Sequence, residues 1–177
     1  MNDLQIAFVG AGNMASSIVG GLVEQGVPAT SIRASDPHPP SLEAMSAIAA
    51  VRACRDNREA VDGADVVVLA VKPQVMAQVT ADIRDTVAGN HPAERRPLVI
   101  SIAAGITLAS LQRGLGEDLP IVRCMPNTPA LLGCGATALY ANPVADDAQR
   151  ASAAAILGAV GTVCWVSEET QLDAVTA

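Results

Sequence analysis

Short apolar runs alternate with longer amphipathic stretches from the start of the chain almost to its end. Residues 6–10 (IAFVG), 31–35 (SIRAS), 65–71 (DVVVLAV), 98–103 (LVISIA) and 121–125 (IVRCM) are brief, mostly apolar and bounded by Gly, Pro or Asp. That pattern predicts strands, with a shorter one at 51–54. Between them, residues 14–25, 42–50, 73–87 and 108–115 carry apolar positions at helical spacing, and Thr107 is placed to N-cap the last of these. A short helix is expected at 57–61. After residue 125 the pattern adds a strand at 136–141, a helix at 146–157 and a strand at 162–166, and residues 168–177 read as the first turns of a further helix.

Strands with continuous apolar runs, joined by helices, are those buried on both faces of a parallel sheet. The expected fold is therefore α/β: a doubly wound, mainly parallel sheet, followed by the first turns of a further helix. The polar segment 90–97 (NHPAERRP) reads as a surface loop. No repeat or linker divides the chain.

Half of the residues are hydrophobic and three are aromatic (Phe8, Tyr140, Trp165), so the core is expected to be built from Ala, Val, Leu and Ile. The formal charge of −7 excludes a general polyanion binder, whose affinity rests on Lys and Arg, and no nucleic-acid partner is expected. The longest weakly polar run, 151–166, falls short of the roughly 20 residues that span a bilayer, and no basic stretch precedes residues 6–10. A cytoplasmic protein without a membrane partner is expected. Cys54, Cys124, Cys134 and Cys164 form no C-x-x-C pair and have no histidine at ligand spacing. They read as reduced, mostly buried thiols, and no metal site is expected.

The sharpest local feature is Val9-Gly10-Ala11-Gly12-Asn13-Met14-Ala15, between the first strand and the first helix. Gly10 permits a tight turn, and Gly12 lets the backbone approach a pyrophosphate seated on the helix N-terminus. Ala15 is a permitted variant at the third glycine position. A glycine-rich turn with no ligand is the alternative. Asp36, at the end of the second strand, favours the free ribose hydroxyls of NADH, whereas Ser35 and an arginine near it lean toward NADPH; Asp36 ahead of Pro37 also suits a plain turn. Asn57 serves either to bond the adenosine half or to N-cap the 57–61 helix.

Lys72, the chain's one lysine, ends the 65–73 segment at the edge where open α/β sheets bind ligands; a solvated loop lysine is the other reading. Small residues at 101–105 (SIAAG) allow a flat ring to lie on the backbone or, equally, permit close helix packing. Pro126 and Pro129 fix a turn that presents Asn127 and Thr128, or else form a rigid connector. No Ser-His-Asp, Cys-His or paired-carboxylate set is legible, which fits hydride transfer, where the cofactor carries the chemistry.

In this order and spacing, GAGNMA at 10–15, AVKP at 70–73, SIAAG at 101–105, RCMPNTPAL at 123–131 and DAVTA at 173–177 resemble pyrroline-5-carboxylate reductase. The resemblance covers the whole chain, which spans the N-terminal part of the family pattern. It implies an NAD(P)-binding Rossmann domain over 1–166 and, over 167–177, the start of a helical domain that forms homodimers or larger assemblies. The implied reaction is reduction of 1-pyrroline-5-carboxylate to L-proline, the last step of proline biosynthesis, with NADPH or NADH.

Carried over by position, the resemblance puts pyrophosphate contacts on Gly10, Ala11, Gly12, Asn13 and Met14, and adenosine contacts on Ser35, Asp36 and Asn57. Nicotinamide-side contacts fall on Ala70, Val71, Lys72 and Pro73 and on Ala103, Ala104 and Gly105. The substrate side falls on Asn127, Thr128 and Glu169. No catalytic acid is assigned. Two other functions stay open: a dinucleotide-binding module without turnover, and a dehydrogenase of the β-hydroxyacid type. The latter would bring a lysine on a later helix, and none follows Lys72.

Overall fold

Each central strand feeds two cores at once. In β1 (Ile6–Val9), Ile6 and Phe8 join one buried cluster while Ala7 and Val9 join another, because successive strand side chains leave opposite faces. β4 (Val66–Leu69) repeats the division, with Val66 and Val68 on the first side and Val67 and Leu69 on the second. Apolar residues at every position are therefore needed, and helices must cover both faces.

The computed structural model describes residues 4–89 and 96–175. The remaining elements are α1 (Asn13–Glu24), β2 (Ile32–Ser35), α2 (Pro39–Ile48), β3 (Arg52–Ala53), α3 (Asn57–Val61), α4 (Met76–Gly89), β5 (Leu98–Ser101), α5 (Leu108–Leu115), β6 (Ile121–Pro126), β7 (Gly135–Ala141), α6 (Asp147–Gly158), β8 (Gly161–Trp165) and α7 (Gln171–Val175). The first face is packed by α1, α2 and α6 through Ile18, Leu22, Met45 and Ile156. Helices α3, α4 and α5 cover the second through Val61, Ile83 and Leu111.

The strand order is β3-β2-β1-β4-β5-β6-β7-β8, parallel throughout except for the antiparallel β6–β7 pair. Winding proceeds outward from β1 to β3, then returns to place β4 on the other side of β1. This reversal opens a crevice beyond the carboxyl ends of β1 and β4. The Rossmann-type expectation is met.

Local chemistry adjusts the expected boundaries. α2 begins at Pro39, not 42, since prolines suit a first turn whose amides lack partners. The helix expected at 73–87 opens instead with a 3₁₀ turn, Pro73–Val75, before α4. Asp146 stands outside α6 as its cap, accepting from the Gln149 N–H at 2.7 Å while Gln149 Oε1 accepts from the Asp146 N–H at 3.1 Å. Thr107 caps α5 as expected.

Most of the polar segment 90–97 lies outside the described residues. Two of the four cysteines depart from the expectation of burial. Cys134 sits exposed just before β7 and Cys164 is exposed on the edge strand β8, while Cys54 and Cys124 are buried. No helix among the described residues is long and apolar enough to cross a membrane.

Candidate functional site

Gly10 closes β1 in a conformation that favours glycine. Its φ is +99°, its N–H donates to the Ser35 carbonyl at 2.8 Å, and a Cβ would lie 2.6 Å from the Ala70 carbonyl oxygen. The turn is thereby clamped between the ends of β2 and β4. Gly12 is different: its φ of −71° is ordinary, and no atom lies within 4 Å of where its Cβ would be. It precedes α1, which carries no side-chain cap. The space over Gly12 thus gives an anion access to the first-turn amides of Asn13 and Met14, which a helix leaves without internal partners. This is the fit that a dinucleotide pyrophosphate requires.

Ala11 has its N–H committed. It donates to Asp36 Oδ2 at 2.8 Å, and the His38 N–H donates to Asp36 Oδ1 at the same distance. Asp36 therefore ties the glycine turn to the loop after β2.

A cleft of about 640 Å³ adjoins this turn. Gly10, Ser35, Asp36, Asn57 and Val71 line it, joining predicted positions from three separate strand ends. Val75 and Val79 of the 73–89 segment supply an apolar side, suited to a purine face. Opposite, Ser35 Oγ donates to Asn57 Oδ1 at 2.9 Å, and Asn57 Nδ2 donates to Asp82 Oδ2 at 3.3 Å. Asp82 also accepts from Arg58 Nε at 2.9 Å. Asn57 is not the cap of α3: Asp56 accepts the Glu59 N–H at 2.8 Å and leaves the Asn57 side chain to the cleft.

Arg55 lines the same cleft and was not identifiable in the sequence among the neighbouring arginines 52 and 58. Its position two residues before Asn57, in a strand-end loop, was the available signal. Glu59 Oε2 accepts from Arg55 Nε at 2.9 Å and from the Arg55 N–H at 3.0 Å, while Oε1 accepts from Arg52 at 3.0 Å. The Arg55 hydrogen bond, with that of Arg52, holds the Glu59 carboxyl down at about 2.

Farther along the strand ends lie the other predicted positions, none of them lining this cleft. Lys72 and Pro73 are exposed beyond β4, with Ala70 half-buried. Ala103 is buried, Ala104 and Gly105 are exposed, and Gly105 has a φ of +72°. Asn127 accepts the Ala136 N–H on Oδ1 at 2.9 Å, tying the 3₁₀ turn Thr128–Leu132 to β7; Thr128 is exposed. Glu169 Oε1 accepts from Arg123 Nη1 and from the Leu108 N–H, each at 2.6 Å.

A family model described as NADP oxidoreductase, coenzyme F420-dependent, matches residues 5–105. The chain belongs to this NADP oxidoreductase family. Every position assigned to the cofactor, from Gly10 to Gly105, falls inside the matched stretch, whereas Asn127, Thr128 and Glu169 lie beyond it. Among curated proteins, the chain is similar over all 177 residues to the pyrroline-5-carboxylate reductase of Pseudomonas aeruginosa, at 49% identity. It spans 63% of that relative's length. A solved pyrroline-5-carboxylate reductase from Coxiella burnetii matches 99% of the chain with a TM-score of 0.93 and 38% identity, and 63% of that structure is covered. The Plasmodium falciparum pyrroline carboxylate reductase, solved with NADP bound, shares the fold at a TM-score of 0.84 and 23% identity, over 99% of this chain and 62% of its own.

Proposed function

We propose that the chain is the cofactor-binding part of a cytoplasmic pyrroline-5-carboxylate reductase, which reduces 1-pyrroline-5-carboxylate to L-proline with NADPH, and with NADH as a second donor. The observation that carries this reading is one strand-end cleft that meets the glycine turn at Gly10 and joins it to the Ser35–Asn57 pair and the apolar Val75–Val79 wall. Identity of 49% with a curated reductase over the whole chain supports the substrate class.

When bound, a reduced nicotinamide supplies the hydride that the imine carbon accepts. The chain's own residues bind and orient. Asn13 and Met14 amides hold the pyrophosphate, Ser35, Asp36 and Asn57 the adenosine side, and the segments 70–73 and 103–105 the nicotinamide side. Asn127, Thr128 and Glu169 border the substrate. Residues 1–166 form the cofactor domain, and 167–177 begin a helical domain that brings two or more copies together.

One observation favours a second reading, a dinucleotide-binding module without turnover. Asn127 Oδ1 and Glu169 Oε1 already accept hydrogen bonds from within the chain. The test mixes the 177-residue chain with NADPH and 1-pyrroline-5-carboxylate and follows reduced-nicotinamide absorbance. Imine-dependent loss that disappears in Gly12→Val supports the reductase reading; saturable NADPH binding with no such loss favours the module.

A further inference from the structure

The cleft beside the glycine turn is lined by carboxylates. Asp36, Asp56 and Asp82 all border it, and Arg55 is the one cationic side chain among its described lining residues. A phosphate ester carries nearly two negative charges near neutral pH, so such a wall repels it unless a cation intervenes. Each carboxylate has prior commitments. Asp36 accepts two backbone N–H groups, Asp56 caps α3, and Asp82 is paired with Arg58. Arg55 is differently placed. Its side chain is 88% exposed, and among the described residues only its Nε has a hydrogen-bond partner, Glu59, while both terminal nitrogens have none.

A guanidinium anchored at Nε with two free terminal groups is a ready bidentate donor for phosphate oxygens. Asn57 stands on the same cleft, and its Nδ2 keeps a second N–H beyond the one given to Asp82 as a neutral donor. We infer that Arg55 is the specificity-determining residue by which the chain selects a 2′-phosphorylated adenosine over an unphosphorylated one, an inference that rests on reading this cleft as the cofactor site. Glu59 positions it: two hydrogen bonds from Arg55 and a third from Arg52 fix the carboxylate that holds Nε.

The test is calorimetric titration of the wild-type chain, Arg55→Ala and Arg55→Lys with adenosine 2′,5′-bisphosphate and adenosine 5′-monophosphate at low salt. Wild type is expected to bind the bisphosphate more tightly. Arg55→Ala loses about tenfold or more for the bisphosphate and less than about twofold for the monophosphate, and Arg55→Lys recovers part of the loss. Thermal unfolding checks that the exposed substitution leaves the fold intact. Equal effects on both ligands, or none on either, overturn the role of Arg55 while leaving the cleft a nucleotide site. Failure of wild type to bind either ligand overturns both.

Discussion

Arg123 and Glu169, 46 positions apart in sequence, meet at 2.6 Å through Nη1 and Oε1. The Arg123 side chain is 7% exposed on β6, and the same Glu169 oxygen also accepts the N–H of Leu108 at the start of α5. One carboxylate thus fastens the segment ahead of α7 to the sheet and to a helix of its second face. A guanidinium this buried needs such a partner, since an unpaired buried charge is costly.

Removing Glu169 is therefore expected to destabilise the chain before it touches any chemistry. Glu169→Ala should cost about 1–3 kcal/mol, discounted from the cost for a fully buried pair because Glu169 is 28% exposed. At about 2–4 °C per kcal/mol for a chain of this size, thermal unfolding should register the change clearly. An unaltered midpoint would show that the pair contributes nothing.

The two glycines of the turn should separate stability from binding. Gly10→Ala forces a side chain into a left-handed conformation and against the Ala70 carbonyl, so its unfolding midpoint should fall. Gly12→Val meets open space and should melt near wild type while losing NADPH binding. Parallel melting and binding curves check both, and a stable, binding-competent Gly12→Val would contradict the assignment.

Much of this arrangement was legible in the sequence, for particular reasons. Gly10 announces a strand-to-helix turn because its positive φ and its approach to Ala70 favour glycine, and the unbroken apolar runs of β1 and β4 require a two-faced sheet. Other parts were not. The antiparallel β6–β7 pair depends on how the turn after Pro126 folds back, with Asn127 bonded to Ala136, a contact that spacing alone does not specify. Arg55 is one of three arginines in seven residues, and only the packing of its loop against the cleft sets it apart. Asp56 and Asn57 are both good capping residues by type, and only the structure shows that Asp56 is the one that accepts the Glu59 N–H at the start of α3.

Acid should release the Glu59 cluster. The folded carboxyl lies at about 2, below its ordinary 4.5, because of hydrogen bonds from Arg55 and Arg52. Its contribution to stability is thus complete above about pH 4.5 and is lost as pH falls toward 2. The difference in unfolding midpoint between wild type and Glu59→Gln should shrink steadily through that window. A gap independent of pH would refute the linkage.

Thiol reactivity should split the cysteines evenly. Cys134 and Cys164 are exposed, whereas burial pushes the Cys124 thiol well above its usual range and raises that of Cys54 as well. A thiol reagent should therefore modify two cysteines in the folded chain and four after unfolding, with mass spectrometry assigning the sites. Rapid native labelling of Cys124 would contradict the packing of β6.

The most direct test of the account is calorimetric titration of the 177-residue chain with NADPH, alongside Gly12→Val. The account predicts a single saturable site in the wild-type chain and none in a Gly12→Val variant that melts normally. No binding to the wild type, or equal binding by both, would contradict the placement of the dinucleotide at the turn between β1 and α1.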